Sequence, residues 1–354
     1  MRFGWLTLAH SPSPQEDSLA IDQQLAQACY AEAVGFDDVW LTEHNFTGES
    51  VYSDPIPFAS ALAVQTSRVR IGFAVIQMAL RHPVRLAVQL SLLDNLSKGR
   101  LDVGVGRGSI YNEYEFVGYG LRSDDSRSRL DEYLEILTRS WVESPFEYHG
   151  AYYDISLPGI RPRPYQKPYP PIWRSVISPA SVTACGRQGD PILTARLSLE
   201  RIPAFLKQYQ EGLEAGAHCS LKRQQLLQQA AVWRMVYVAA SDAQAEDELS
   251  AALLYTRHHM QHAREIYNPS DFKVDPAMLN TWVDPQVSDE AGLRFLLDTG
   301  SVYGAPKRVK EQINELRDTG LGHLLCQMSF GGISHDKIMF SMQKFGEEII
   351  PAFR

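Results

Sequence analysis

Short, nearly continuous apolar runs recur along the chain, separated by stretches whose apolar positions repeat every three to four residues. The apolar runs read as strands: "RFGWLTL", "DDVWLTE", "VRIGFAVIQM", "LDVGVG", "PPIWRSVI", "DPILTA", "WRMVYVAA" and "HLLCQMS". Runs without polar alternation suit parallel strands buried on both faces. The first four begin about 33 residues apart, the length of a strand–helix unit. Between the first two, Ile21, Leu25, Ala28 and Cys29 share one helical face, and Gly35 ends the helix. After the third, Pro83 suits a first helical position, Leu86, Leu90 and Leu93 form a stripe, and Gly99 closes it.

Eight such units predict an α/β fold, a (β/α)8 TIM barrel spanning residues 1–354 as a single domain. An open doubly wound sheet is the alternative. Two stretches exceed a plain barrel. "FEYHGAYYDISLPGIRPRPYQKPYPP" precedes strand five, and a longer one, about Tyr255 to Gly300, lies between strands seven and eight. Long excursions from a compact domain usually serve as lids or binding loops.

Composition narrows the class. With 44% hydrophobic and 21% charged residues, the chain has the balance of a globular domain. A net charge of -8, with no basic block interleaved with aromatics, argues against a nucleic-acid partner. No apolar run approaches a membrane span, and "MRFGWLTLAH" is too short and lightly charged for a signal peptide. Cys29, Cys185, Cys219 and Cys326 are scattered, which indicates neither a zinc site nor a disulfide framework and suits a reducing cytoplasm.

In a barrel, active sites form where strands end. Strand two ends in Glu43, His44 and Asn45. A histidine there either moves protons near neutral pH or simply caps the loop. Strand four ends in "GVGRGS", where the third glycine of a dinucleotide fingerprint is replaced by Ser109. Gly104, Gly106 and Gly108 would let a ligand approach the backbone, and Arg107 offers a planar fork suited to phosphate. A tight turn with a surface arginine is the competing reading. Strand five is followed by Ser178 and Ser181 at a helix start, which serve an anion or an ordinary N-cap. Strand eight is followed by "GGIS", a second candidate phosphate site, but only Lys337 stands near it as a cation. His258 and His262 sit four apart on one helical face. No carboxylate completes a metal motif there, so no metal is expected.

The stretches "GFDDVWLTEHNF", "HPVRLAVQLSLLDNLSKGRLDVGVGRG", "SRSRLDEYLEIL", "YHGAYYDI", "PRPYQKPYPPIW" and "YGAPKRVKEQINELRDTGLGHLLCQMSFGGI" occur in an order that resembles the bacterial luciferase-like flavin monooxygenases. The resemblance covers nearly the whole chain. It implies a dimeric TIM barrel, as homodimer or as heterodimer with a related chain. It also implies reduced FMN supplied by a separate flavin reductase, O2 as co-substrate, and a flavin hydroperoxide that oxygenates a small aldehyde, ketone or aromatic metabolite. A deazaflavin-dependent oxidoreductase and a non-catalytic flavin-binding subunit are the alternatives it leaves.

By the same resemblance, His44 assists the flavin–oxygen adduct with Glu43 in support, and Asn45 departs from the second histidine that relatives often carry. Arg107, Ser178 and Ser181 match the phosphate-gripping positions, and an acidic position of the family is Ile177 here. Gly106 stands where luciferase has a reactive cysteine. A non-proline cis peptide is expected at Ala74–Val75, under the flavin ring. The chemistry requires a dry, capped site. Trp5, Phe73, Ile76, Met78 and Trp173 either line such a pocket or belong to plain barrel core. The excursion before strand eight would be the lid.

Overall fold

The eight expected strands all form, as β1 (Arg2–Thr7), β2 (Asp38–Leu41), β3 (Arg70–Phe73), β4 (Leu101–Gly106), β5 (Ile172–Ser175), β6 (Ile192–Ala195), β7 (Ala231–Val238) and β8 (His323–Ser329). The computed structural model that shows them describes residues 1–354, apart from the side chain of Ala277. All neighbours are parallel. Gly4 lies opposite Asp38, Asp38 opposite Arg70, Ile71 opposite Leu101, and Val103 opposite Ile172. The ring closes where β7 pairs with both β6 and β8, and β8 with β1. Closure leaves no edge of the barrel sheet unpaired.

Two layers of core hold it. Inside the barrel, Leu6, Trp40, Trp173, Leu193, Ala231 and Leu325 pack together. The Trp40 and Trp173 rings meet edge to face at 4.9 Å. Between barrel and helices lies a larger cluster that includes Trp5, Phe73, Ile76 and Met78. The polar plug at the amino end is centred on Asp38. It accepts hydrogen bonds from Arg2 (2.8 Å), His323 (3.0 Å) and the Trp40 indole. Burial opposes charge there, but His323 and Arg2 hold the Asp38 carboxyl well below the usual range.

The glycines of "GVGRGS" are required by the protein's own packing, whatever they later admit. A side chain at Gly104 would stand 1.7 Å from the Phe73 carbonyl oxygen, and one at Gly106 would stand 2.6 Å from Val75. At Gly108, where φ is +105°, it would meet Phe116 at 2.5 Å. These absences let the end of β3 and the helix Glu113–Gly118 close onto β4. Because the obstacle at Gly104 is backbone, Gly104→Ala is expected to destabilise the fold by about 3 kcal/mol. An unchanged urea midpoint would contradict this packing.

Both insertions are more structured than loops. The first forms an antiparallel hairpin, Phe146–His149 with Asp154–Leu157. The second stretch, read from sequence as an excursion from Tyr255 to Gly300, begins inside one long helix, Asp242–Tyr267. It ends in the helix Asp289–Gly300. Immediately after, Ser301–Gly304 forms a strand not expected from sequence, parallel to the outer half of β7. Among the described residues no helix is long and apolar enough to cross a membrane.

Candidate active site

At the carboxyl ends of the strands a cavity of about 290 Å³ opens. Its walls come from loops after several strands: Glu43 and His44 after β2, Ala74, Val75 and Gln77 after β3, Gly108 and Tyr111 after β4, and Arg196 after β6. The long helix adds Thr256, Met260 and Arg264, and the following loop adds Trp282 and Val283. That loop is tied down rather than loose. The buried Arg257 donates to the carbonyls of Trp282, Asp284 (3.0 Å) and Val287 (2.6 Å). It also pairs with Asp289 at 3.2 Å.

Of the two readings left open for Trp5, Phe73, Ile76, Met78 and Trp173, the structure supports core. Trp5, Phe73, Ile76 and Met78 face the helices and Trp173 fills the barrel interior, so all five are core. Leu8, Trp233, Met235, Met260, Trp282 and Val283 supply the apolar wall instead.

The trio after β2 divides its work. Glu43 is buried and accepts from the Gln77 backbone N–H (2.9 Å) and from Arg81 (2.7 Å), which also holds Asp54. Burial pushes the Glu43 carboxyl up to about 7, against the pull of Arg81. His44 is half-buried at the cavity wall, its Nδ1 3.2 Å from Glu115 and its Nε2 3.5 Å from Glu49. Burial alone would lower the histidine pKa, but the Glu49 and Glu115 carboxylates outweigh it and hold His44 at about 9. At neutral pH His44 is therefore a cation. Its Nδ1–H is given to Glu115, and its Nε2–H faces Glu49, itself in the cavity wall, at 3.5 Å.

Glu115 anchors the whole group. Burial would raise its pKa, but donors from His44, Asn112 (2.7 Å) and Gln77 bring it below the usual range. Asn45 donates to Glu115 at 3.3 Å and accepts from the Tyr119 hydroxyl at 3.0 Å. The position that departs from the family pattern is thus a buried strut of this network, not a second proton donor.

The other rim differs. β4 and β5 are neighbours, Val105 lying opposite Arg174, so Arg107 and Ser178 follow adjacent strands. Arg107 is half-buried and makes no hydrogen bond or ion pair among the described residues. Ser178 caps the helix Pro179–Gln188, accepting from the Ser181 N–H at 3.3 Å, and the two hydroxyls lie 2.9 Å apart. None of these three is among the residues that line the cavity. The rival site after β8 is weaker, because Lys337 is paired with Glu248 at 2.8 Å. The Ala74–Val75 peptide between the two sides is cis. His258, once weighed as half of a metal pair, is bound to Asp289 at 2.6 Å.

Sequence reasoning did not find Glu49, Gln77, Glu115, Arg196 or Arg264. A carboxylate inside the aromatic stretch "NEYEF" was the one available signal for Glu115.

Comparison with known proteins agrees with the barrel fold. Residues 1–323 match the family model described as luciferase-like monooxygenase. The oxygenase component of the flavin-dependent trigonelline monooxygenase of Acinetobacter baylyi is 25% identical over 365 residues, covering 100% of this chain and 96% of the relative. The crystal structure of a monooxygenase from Streptomyces bottropensis matches with a TM-score of 0.79 at 25% identity, over 100% of both chains. The oxygenating constituent of 3,6-diketocamphane monooxygenase from Pseudomonas putida, solved in complex with FMN, matches with a TM-score of 0.76 at 20% identity, over 99% of this chain and 98% of the other.

Proposed function

Because the chain belongs to the luciferase-like monooxygenase family, we propose that it is an FMN-dependent monooxygenase, receiving reduced flavin from a separate reductase and oxygenating a small organic molecule with O2. The observation that carries this reading is the division of the barrel mouth. Beyond the neighbouring strands β4 and β5 come an arginine with no partner among the described residues and two hydroxyls, and beyond β2 a histidine stands between two carboxylates.

The residues fit the flavin. Arg107 is a guanidinium with no acceptor among the described residues, on the strand next to the one that leads into the helix capped by Ser178. Arg107, Ser178 and Ser181 would hold the phosphate, and the backbone of Ala74 and Val75 would meet the ring system. Gly108 lines the cavity and would border it, whereas Gly106 serves through the room it leaves for Val75. Bound reduced flavin supplies the electrons that activate oxygen.

The chain supplies the environment. The wall of Leu8, Trp233, Met260 and Trp282 excludes water, which would otherwise divert activated oxygen to hydrogen peroxide. His44 Nε2–H offers a positive donor to oxygen-borne negative charge. Glu115 is a positioning residue that fixes the imidazole and keeps it charged. Glu43 fixes Gln77 and Arg81 behind it. The separate reductase is supported by the relative that is itself named an oxygenase component. A deazaflavin hydride-transfer enzyme of the same fold would turn over without consuming oxygen.

A pH profile tests the charge on His44. Product formation is expected to hold through neutral pH and to fall above about 9, as the imidazolium loses its proton. The raised pKa also stabilises the fold, fully below about 6.5 and progressively less as pH climbs through about 9. Glu115→Gln removes one of the two carboxylates and should draw the alkaline limb toward neutral. A limb that stays in place would rule out His44 as the titrating group.

A further inference from the structure

The cavity contains two charged side chains that the reaction described above does not use, Arg196 and Arg264, and of these Arg264 is tied to Asn112 at 2.9 Å. We propose that the organic substrate carries a carboxylate, received by the Arg196 guanidinium. This rests on the reading of the cavity as the substrate chamber and adds its chemical class.

Arg196 follows directly on β6 and is held with unusual care. Its backbone sits at φ +45°, a left-handed conformation that side chains other than glycine rarely adopt. Its N–H donates to the Trp233 carbonyl at 2.9 Å. Its guanidinium lies over the Trp233 ring, 4.6 Å from the centroid. Its stem occupies a notch left by Gly300, where any side chain would meet its Cδ at 3.1 Å and its Cγ at 3.2 Å. Backbone held off its ordinary conformation, an aromatic shelf and a glycine notch together fix one side chain in one place.

Yet the fixed group has no partner. The Arg196 guanidinium makes no hydrogen bond or ion pair among the described residues, although it lines the cavity. The groups that act on it are Tyr111 and a like charge, Arg264. The carboxylates of the cavity are engaged with other groups. Glu43 holds Arg81, and Glu49 faces His44. Buried cations are almost always paired, so a half-buried arginine rigidly presented to a cavity without an acceptor is a receptor for an anion. Its planar fork matches a carboxylate. A second donor points the same way: the buried Gln327 lines the cavity, and its side-chain Nε2 has no partner. The surrounding Leu8, Met235, Met260 and Trp282 require the rest of the ligand to be apolar. The flavin phosphate has its own candidates on the rim, outside this lining, so Arg196 is not needed for it.

The purified full-length chain is titrated calorimetrically with benzoate, phenylacetate and octanoate, each beside its methyl ester. At least one acid is expected to bind about 10- to 100-fold more tightly than its ester, the range for a charge-assisted pair. Arg196→Ala should abolish that preference and leave the FMN dissociation constant at the wild-type value. Arg196→Lys, which keeps charge and bulk should the alanine variant fail to fold, should weaken acid binding through loss of the fork. Equal binding of acids and esters, or binding of none of the three acids, overturns the inference. So does an Arg196→Ala chain that loses FMN affinity while still preferring the acid. Wild-type failure to prefer acids with FMN binding intact refutes the carboxylate alone. Failure to bind FMN refutes the reading of the cavity beneath it.

Discussion

Replacing His44 by alanine is expected to lower product formation by about 10²- to 10⁴-fold, the usual contribution of a positioned proton donor. FMN should remain bound, and oxygen uptake should continue with its yield diverted to hydrogen peroxide. The reason lies in what the substitution leaves behind. Glu115 keeps Asn45, Asn112 and Gln77 as donors, so the network stays in place. Glu49 and Glu115, however, lose the cation between them, and the cavity wall changes from a positive donor to two carboxylates. The field then opposes developing negative charge on oxygen instead of supporting it. His44→Gln keeps shape without charge and should fall between wild type and alanine. Product and peroxide measured together in one oxygen-electrode assay decide the matter, and undiminished turnover in His44→Ala would remove His44 from the mechanism.

Arg107→Ala is expected to raise the FMN dissociation constant by about 30- to 150-fold, equivalent to about 2–3 kcal/mol for a lost charge-assisted contact. The fold should not notice. Arg107 has no partner among the described residues, so the melting temperature of the variant should match wild type. This separates a binding residue from a structural one. Fluorescence titration of FMN into both proteins is the measurement, and an unchanged constant would transfer the phosphate to the rim after β8.

The barrel was legible because its signal is redundant. Eight apolar runs were expected and eight barrel strands formed, since strand–helix alternation leaves few other closed arrangements. The extra strand Ser301–Gly304 escaped notice because it follows the helix Asp289–Gly300 with no turn residues between them. The pocket lining stayed open at the level of sequence for a different reason. Strands buried on both faces show no alternation, so the sequence does not say whether Trp5 or Leu6 points into the barrel. Pairing decides it, and Trp5 turns outward. At the site, His44 and Arg107 could be singled out because they close strands, where position itself suggests a role. Glu115 and Arg196 could not. A carboxylate in a short helix and an arginine in "TARLSLE" look like surface charges until tertiary packing buries the first and seats the second on Trp233.

The central claim is that the chain uses reduced flavin to place oxygen on an organic molecule at the His44 side of the cavity. It is tested most directly by supplying wild type and His44→Ala with reduced FMN, a cell metabolite extract enriched in small carboxylic acids, and ¹⁸O₂, and following small molecules by mass spectrometry. The account predicts a product bearing one heavy oxygen atom with wild type and a near-complete loss of it with His44→Ala. Heavy oxygen recovered only in peroxide and water with both proteins, or conversion of the substrate without oxygen in the presence of a reduced deazaflavin, would contradict it.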